Sequence, residues 1–182
     1  MIRILDFTLS LVGLIILLPI LLIVTLVGFF DTGSPIFVQE RVGINKKPFK
    51  LIKFRTMGLG TASVASHLAD KVSITTFGKF LRRTKIDELP QLINVVKGDM
   101  SLVGPRPNLY NQKELILERD ALNIYRTLPG ITGLAQIKNI DMSTPKLLAK
   151  TDKVMVDNLN VKNYLNYIIL TIKGSGSGDA IK

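Results

Sequence analysis

The stretch Leu11-Val-Gly-Leu-Ile-Ile-Leu-Leu-Pro-Ile-Leu-Leu-Ile-Val-Thr-Leu-Val-Gly-Phe-Phe30 carries no charged residue over 20 consecutive positions. A helix of that length, at about 1.5 Å per residue, spans about 30 Å, which is the thickness of a bilayer's hydrocarbon core. The stretch is too long for the apolar part of a signal peptide, only Arg3 precedes it as a positive charge, and no small-residue cleavage site follows it. The sequence therefore predicts a membrane-embedded segment over residues 1–31.

Pro19 lies near the middle of this apolar run. A proline inside a helix removes one backbone hydrogen bond and bends the helix. Two paths are open from the residues alone: a bent helix that crosses the bilayer, and a re-entrant helix that enters one leaflet and returns to the same face. A crossing helix is the simpler of the two, because bent membrane spans are common.

The positive charge lies almost entirely on one side of the apolar run. Residues 1–31 contain one basic and two acidic residues, so of 24 basic and 14 acidic residues in the chain, residues 32–182 hold 23 and 12, a net charge of +11. The positive-inside rule places residues 32–182 in the cytoplasm, and their Lys and Arg suit a surface resting on anionic headgroups. The chain has no cysteine and a single histidine, His67, which argues against thiolate or histidine metal sites and a Ser-His relay.

Residues 32–182 are predicted to form a small cytoplasmic α/β domain with more helix than strand. Two apolar stretches, residues 36–41 and 49–54, predict short strands joined through a turn at 43–48. The other predicted segments are mobile loop 58–66, helix 77–88 with a restart after Pro90, loop 98–107, and helices 109–126 and 159–172.

The last of these helices is amphipathic, with Tyr164, Tyr167, Ile168 and Ile172 predicted on one side. It either packs on the core of the domain or lies on the bilayer as an interfacial helix. The GSGSG stretch at 174–178 carries no weight in either interpretation.

Three charged clusters are candidates for chemistry, and the first is Phe49-Lys-Leu-Ile-Lys-Phe-Arg-Thr-Met57. Strand alternation places Lys53 and Arg55 on one face with Phe49 and Leu51. Such a face either binds phosphates or is simply solvated, and solvation is the simpler interpretation.

The second cluster is Arg82-Arg-Thr-Lys-Ile-Asp-Glu-Leu-Pro90. Thr84 and Asp87 have the spacing of a capping box, which indicates a helix start with acidic residues in its first turn. The functional interpretation is an ionised carboxylate beside basic residues, acting as a nucleophile or Mg²⁺ ligand near a phosphate. Because adjacent helical residues point about 100° apart, Asp87 and Glu88 are expected to have different roles.

The third cluster is the Gly- and Pro-rich stretch 98–107, which contains Pro105-Arg106-Pro107. Two prolines restrict the backbone around Arg106 and lower the entropy cost of presenting its guanidinium, whose forked donors match a pyrophosphate. A stiff loop with an exposed arginine is the alternative.

Together the clusters match one family. The stretches that carry the match are Phe37-Val-Gln-Glu-Arg-Val-Gly43, the strand Phe49 to Met57, Asp87-Glu-Leu-Pro-Gln-Leu-Ile-Asn-Val-Val-Lys-Gly-Asp-Met-Ser-Leu-Val-Gly-Pro-Arg-Pro107 and Pro129-Gly-Ile-Thr-Gly-Leu-Ala-Gln136. In these motifs and their order behind a membrane segment, the chain resembles the bacterial sugar transferases, the monotopic polyprenyl-phosphate phosphoglycosyl transferases. The resemblance covers nearly the whole chain and favours the functional interpretation of the second and third clusters.

The resemblance implies an enzyme that transfers a sugar phosphate from a UDP-sugar to polyprenyl (undecaprenyl) phosphate with Mg²⁺, releasing UMP, as the first membrane step of glycan or polysaccharide assembly. It implies a location at the cytoplasmic face of the bacterial inner membrane. The family's Asp-Glu pair falls on Asp87 and Glu88, so Asp87 is the implied nucleophile of a covalent phosphosugar intermediate and both are implied near the metal.

The resemblance also assigns expected roles outside this pair. Lys53, Arg82 and Arg106 are implied to contact phosphate or nucleotide, and Arg55 is a weaker candidate. The family's membrane segment resembles a re-entrant helix broken at a proline, a role that falls on Pro19.

Two non-catalytic functions are the alternatives. One is a membrane-tethered basic module that binds nucleic acid or anionic lipid, with affinity that falls steeply with salt. The other is an inactive scaffold subunit of a glycan-assembly complex. The intact Asp87-Glu88 and Pro105-Arg106-Pro107 motifs argue against both.

Overall fold

A computed structural model describes residues 1–60 and 73–174 of the 182-residue chain. Within these ranges the protein is mostly helical with two small two-stranded sheets behind an N-terminal apolar helix, which confirms the predicted mixture of helix and strand. The elements are helices α1 (Ile2–Thr32), α2 (Thr76–Thr84), α3 (Gln91–Lys97), α4 (Lys113–Ala121), α5 (Leu134–Ile137), α6 (Pro145–Asp157) and α7 (Val161–Ile172), and strands β1 (Ile36–Val42), β2 (Pro48–Phe54), β3 (Ser101–Val103) and β4 (Gly130–Thr132). His67, most of the predicted loop 58–66 and most of the GSGSG stretch lie outside the described residues.

Strands β1 and β2 form the antiparallel hairpin that the sequence predicts, with Phe37 opposite Lys53. Apolar and polar side chains do not alternate strictly along these strands: the buried positions are Gln39, Arg41 and Val42 on β1 and Leu51, Lys53 and Phe54 on β2. Leu51 packs with Val95 and Met100, which joins this hairpin to α3.

The N-terminal end of α1 is tied to the domain by polar contacts. The Arg3 guanidinium donates to the carbonyls of Val95 (2.7 Å) and Met100 (3.1 Å). The buried Asp6 carboxylate accepts hydrogen bonds from the Ser101 hydroxyl (2.9 Å), the Leu102 backbone N–H (2.8 Å) and the Tyr164 hydroxyl (2.8 Å).

The C-terminal end of α1 contacts the same domain mainly through packing. Val24 packs with Phe54 of β2 and Leu81 of α2. Gly28 lies so close to Pro35 that an added Cβ would be 3.0 Å from the proline Cβ. Both ends of α1 therefore contact the domain formed by the rest of the chain.

Between these ends, α1 runs through Pro19 as one 31-residue helix. It is long and apolar enough to cross a membrane, and most of its apolar side chains are exposed. Composition and length of this kind are weak evidence of membrane association, and the re-entrant path stays a prediction.

The stretch 98–107 is not entirely loop, because it contains β3, which pairs in parallel with β4. An added Cβ on Gly130 would lie 2.0 Å from the Gly104 nitrogen, so the two backbones approach at a distance that only glycine allows. Parallel pairing of segments about thirty residues apart leaves no local signal in the sequence.

Two other predicted elements differ in the structure. Gly130 begins β4 instead of only ending a helix, and the predicted helix 109–126 is shortened to α4 followed by a 3₁₀ turn at Ile124–Arg126.

Helix α7 packs on the core through part of its predicted apolar face. Tyr164 is fully buried, and Tyr167 and Ile168 join the cluster around Val103 and Met155. Burial and the Asp6 carboxylate raise the pKa of Tyr164 above its ordinary value, so its hydroxyl stays a donor. Ile172, predicted on the same side, is instead 80% exposed at the helix end.

Candidate active site

The Asp87-Glu88 pair lies in a single 3₁₀ turn, Ile86–Glu88, called the dyad turn below. The expected continuous helix through Glu88 is wrong, because α2 ends at Thr84 and Lys85 adopts the left-handed conformation (φ 58°). The capping-box interpretation is also wrong: the Thr84 hydroxyl donates backwards to the Phe80 carbonyl (2.9 Å) at the C-terminal end of α2. The predicted restart after Pro90 is confirmed as α3.

Both carboxylates of the dyad turn are buried, Asp87 at 2% and Glu88 at 8% exposure. Buried carboxylates are costly unless they are paired or hydrogen-bonded. Glu88 Oε1 accepts a charge-assisted hydrogen bond from Arg106 Nη2 at 2.7 Å. The structure thus brings the second and third clusters together, although they are 18 residues apart in sequence.

Two buried arginines donate hydrogen bonds to the backbone of Pro105-Arg106-Pro107. Arg119 Nη1 donates to the Arg106 carbonyl (2.8 Å), and Arg41 Nη1 donates to the Pro107 carbonyl (3.2 Å). Arg119 is in turn paired with the buried Asp152 carboxylate at 2.7 Å. These hydrogen bonds hold the backbone of the loop, and with it Arg106, in a fixed position.

Arg82 reaches the end of the basic strand from α2. Its Nε donates to the Thr56 hydroxyl at 2.9 Å, just beyond β2. An added Cβ on Gly78 would lie 2.1 Å from the Thr56 carbonyl oxygen, so α2 begins directly against this residue. Thr56 was not among the predicted site residues, and its hydroxyl has no distinguishing signal in the sequence.

Lys53 is buried, which makes the solvated interpretation of the basic strand wrong at this position. Its ammonium lies 5.7 Å from the centre of the Phe37 ring. The dyad turn packs against β2, the strand that carries Lys53. Lys53 and the dyad turn thus belong to the same part of the domain.

Arg55 contacts the chain that follows α1 and shares the Phe37 ring with Lys53. Its Nε donates to the Ser34 carbonyl at 2.8 Å, and its guanidinium lies 5.3 Å from the centre of the Phe37 ring. These contacts give Arg55 a structural task at the start of β1.

The carboxylates suit a metal ion shared with a substrate. No group of three or more potential metal-ligating side chains occurs within residues 1–60 and 73–174. Mg²⁺ in phosphate-transferring sites is usually held by one or two carboxylates together with substrate phosphates. Asp87 and Glu88 supply that number of carboxylates, with the Arg106 cation beside them.

A family profile described as "Bacterial sugar transferase" matches residues 1–177, which include both α1 and the domain. This chain belongs to the bacterial sugar transferase family. The resemblance carried by the motifs is therefore confirmed, and with it the expectation of a sugar-phosphate transferase.

Three curated members of the bacterial sugar transferase family illustrate the match. An uncharacterized sugar transferase, EpsL of Bacillus subtilis, is 39% identical over 172 residues, covering 94% of this chain and 85% of the relative. A putative undecaprenyl-phosphate N-acetylgalactosaminyl 1-phosphate transferase of the same organism is 46% identical over 108 residues, 58% of this chain and 60% of the relative. The UDP-glucose:undecaprenyl-phosphate glucose-1-phosphate transferase of Klebsiella pneumoniae is 37% identical over 175 residues, 93% of this chain but 38% of the relative. The chain therefore spans most of the first relative and less than two thirds of the other two.

Proposed function

We propose that this bacterial sugar transferase moves a sugar phosphate from a UDP-sugar to undecaprenyl phosphate and releases UMP, through a covalent phosphosugar on Asp87. The observation that carries the proposal is the buried dyad turn with Arg106 bonded to Glu88 at 2.7 Å. Relatives named as undecaprenyl-phosphate sugar phosphate transferases support the choice of acceptor. One relative named for UDP-glucose supports the choice of donor.

The first half-reaction forms the enzyme-bound phosphosugar. A carboxylate oxygen of Asp87 attacks the phosphorus attached to the sugar, and the bond from that phosphorus to the bridging oxygen breaks. The bridging oxygen leaves with the electron pair as part of UMP. An ionised aspartate needs no base for this step, unlike a serine or threonine nucleophile.

The second half-reaction regenerates the enzyme. An oxygen of the acceptor phosphate attacks the same phosphorus, the bond to the Asp87 oxygen breaks, and the product is a polyprenyl diphosphate sugar. A lipid acceptor explains why the domain is attached to an apolar helix, because its phosphate lies at the membrane surface.

The neighbouring residues stabilise charge during both steps. The Arg106 fork binds phosphate oxygens, and Lys53 and Arg82 add positive charge around the pyrophosphate. Glu88 orients Arg106 and, with Asp87, would hold Mg²⁺. When bound, Mg²⁺ neutralises phosphate charge and lowers its repulsion with the carboxylate.

We also propose that α1 is re-entrant, with both ends at the cytoplasmic face of the inner membrane. The polar contacts of Arg3 and Asp6 and the packing of Val24 attach the two ends to one domain, which supports this path. A straight crossing would place Arg3 and Asp6 about 30 Å of hydrocarbon away from their partners.

Cysteines placed one at a time at Ile4 and Ser34 test this topology, since the chain has none of its own. Both variants are expected to resist a membrane-impermeant thiol reagent in intact cells and to react after the membrane is permeabilised. Labelling of Ile4→Cys alone in intact cells would indicate a crossing helix. Pro19→Leu restores the backbone bond and should move some molecules to that state.

The reaction is tested by measuring UMP release from a panel of UDP-sugars with and without undecaprenyl phosphate. We expect full turnover with one sugar and only when the lipid is present, with a single burst of UMP from donor alone. Absence of UMP under every condition, together with salt-sensitive binding to nucleic acid or anionic vesicles, would instead favour the non-catalytic basic module.

A further inference from the structure

A cavity of about 280 Å³ lies beside the dyad turn, between α3, the β3–β4 pair and the last turn of α7. Its walls are predominantly apolar. The apolar side chains that line it are Leu89, Leu92, Leu102, Ile131, Ile168 and Ile172.

The charged lining residues of this cavity come from around the dyad turn. Glu88 and Lys85 contribute to the wall, and Glu88 also holds Arg106. The cavity therefore opens next to the groups assigned to phosphate transfer. A cavity with a charged end and apolar walls matches an amphiphile, and the Lys85 ammonium at that end suits an anionic head.

The polar side chains elsewhere in the wall use their donors within the protein. The hydroxyls of Thr132 and Thr171 bond to each other at 2.5 Å, and the Gln136 amide donates to the Ile131 carbonyl at 2.7 Å. The Thr84 hydroxyl donates to a backbone carbonyl of α2. Recognition of a nucleobase or a sugar needs several polar groups directed at the ligand, so an apolar occupant fits this wall better.

The cavity also lies close to the apolar surface of α1. Leu92, one of its walls, is in contact with α1, where an added Cβ on Gly13 would lie 3.4 Å from the leucine Cδ1. Ile172, which also lines the cavity, is exposed at the end of α7. The lining of the cavity thus adjoins both the apolar helix α1 and an exposed apolar side chain of α7.

We propose that this cavity binds the first isoprene units of the polyprenyl phosphate acceptor, with the phosphate at the Lys85–Glu88 end. This inference rests on the proposed function, because it assigns the acceptor of that reaction to a specific surface. The volume is slightly below the range of about 300–1,000 Å³ seen for ligand pockets, so the cavity holds only the start of the lipid and the rest stays in the bilayer.

The matched pair Ile168→Trp and Ile169→Trp tests the assignment in the full chain reconstituted in lipid nanodiscs. Ile168 lines the cavity, whereas its neighbour Ile169 is half exposed and lies outside the lining. In Ile168→Trp the indole fills the cavity, and we expect the KM for undecaprenyl phosphate to rise at least tenfold while the donor-only burst of UMP keeps its amplitude. Ile169→Trp is expected to change neither quantity.

Cross-linking provides a readout that does not depend on turnover. Farnesyl phosphate carrying a diazirine on its first isoprene unit should label peptides containing Leu102, Ile131 or Ile168, and undecaprenyl phosphate should compete. Labelling elsewhere, or competition by phosphatidylglycerol equal to that by undecaprenyl phosphate, would overturn the inference. So would a wild-type acceptor KM in Ile168→Trp.

The two proposals fail in different ways. If the wild-type protein gives no UMP burst but the diazirine label still enters the cavity, the covalent reaction fails and the lipid site stands. If the burst occurs and the label enters elsewhere, only the lipid site fails.

A second variant is used if Ile168→Trp loses the burst through misfolding. Ile172→Glu places a charge at the exposed edge of the cavity and is expected to raise the acceptor KM.

Discussion

Two arginine–carboxylate pairs in this molecule have the same 2.7 Å separation between nitrogen and oxygen but differ in their access to solvent. In the Arg106–Glu88 pair the side chains are 22% and 10% exposed. In the Arg119–Asp152 pair they are 1% and 2% exposed. The first pair lies at the dyad turn, whereas the second contacts the backbone of the loop that carries Arg106.

The difference in exposure suggests a division of roles: the Arg106–Glu88 pair binds substrate, and the Arg119–Asp152 pair positions Arg106. A guanidinium that is partly exposed to solvent exchanges a water or a carboxylate partner for a phosphate. A closed pair has no such freedom, and its guanidinium instead uses its other donors on the Arg106 carbonyl and the Asn108 side chain. We therefore expect substitutions at the partly exposed Arg106–Glu88 pair, the open pair, to reduce activity. Substitutions at the buried Arg119–Asp152 pair, the closed pair, are expected to reduce the free energy of unfolding.

The largest effect is expected at the neighbour of the open pair, in Asp87→Asn. This change keeps the shape of the side chain but removes the charged nucleophile, so turnover should fall by about 10⁴-fold or more. Intact-protein mass spectrometry with donor alone should show the added mass of one phosphosugar in the wild type and none in the variant. Asp152→Asn is the control: its folded fraction should still form the adduct. An unmodified wild-type mass without a UMP burst would exclude the covalent role of Asp87.

The next largest effect is expected from breaking the closed pair with Arg119→Met. Removing one partner leaves the Asp152 carboxylate buried without its cation, which typically costs about 3–5 kcal/mol of folding stability. Thermal denaturation in detergent should show a large drop. Most of that loss should be recovered in the double variant Arg119→Met/Asp152→Leu, because no charge remains uncompensated. An unchanged denaturation midpoint in Arg119→Met would contradict the proposed division between the pairs.

A smaller loss is expected at the open pair itself in Arg106→Lys. The charge is retained, but a compact ammonium cannot reproduce the fork, so turnover should fall by about 10²-fold. The denaturation midpoint should stay close to that of the wild type, since the supporting contact is made by the Arg106 backbone. Wild-type turnover would remove Arg106 from the site.

The smallest effect is expected from Arg55→Lys, with turnover changed by about twofold or less. The Arg55 guanidinium is directed to the Ser34 carbonyl and the Phe37 ring. A loss as large as that of Arg106→Lys, measured in the same assay, would instead show that Arg55 contacts the substrate and would extend the open site to the start of β1.

Local chemistry explains which parts of the fold are predictable from the sequence. The β1–β2 hairpin follows from two apolar stretches joined through a turn, and the restart at α3 follows from the missing N–H of Pro90. The sequence does not predict the end of α2, because Lys85 adopts a left-handed conformation that lysine rarely takes. The family motif identifies the residues of the dyad turn but not its 3₁₀ geometry.

Long-range polar contacts explain most of what the sequence does not reveal at the site. Arg119 follows Leu115 by four residues, so the two lie on the same buried face of α4 and the helical spacing is a signal for a buried arginine there. Its partner Asp152 is 33 residues away on α6, and periodicity carries no information on such a pairing. Asp6 is similar, since it is one acid at the edge of an apolar run and its three donors come from β3 and α7.

The contact between Asp6 and Tyr164 also sets an order of events during translation. The two residues are 158 positions apart, and a ribosome adds about 5–20 residues per second, so Tyr164 emerges roughly 8–30 s after Asp6. The N-terminal helix is available to the membrane before any of the three donors is synthesised: Ser101 and Leu102 follow Asp6 by 95 and 96 residues, and Tyr164 is the last. Until these residues emerge the nascent helix must keep Asp6 near water or headgroups, and the contact with Tyr164 forms last.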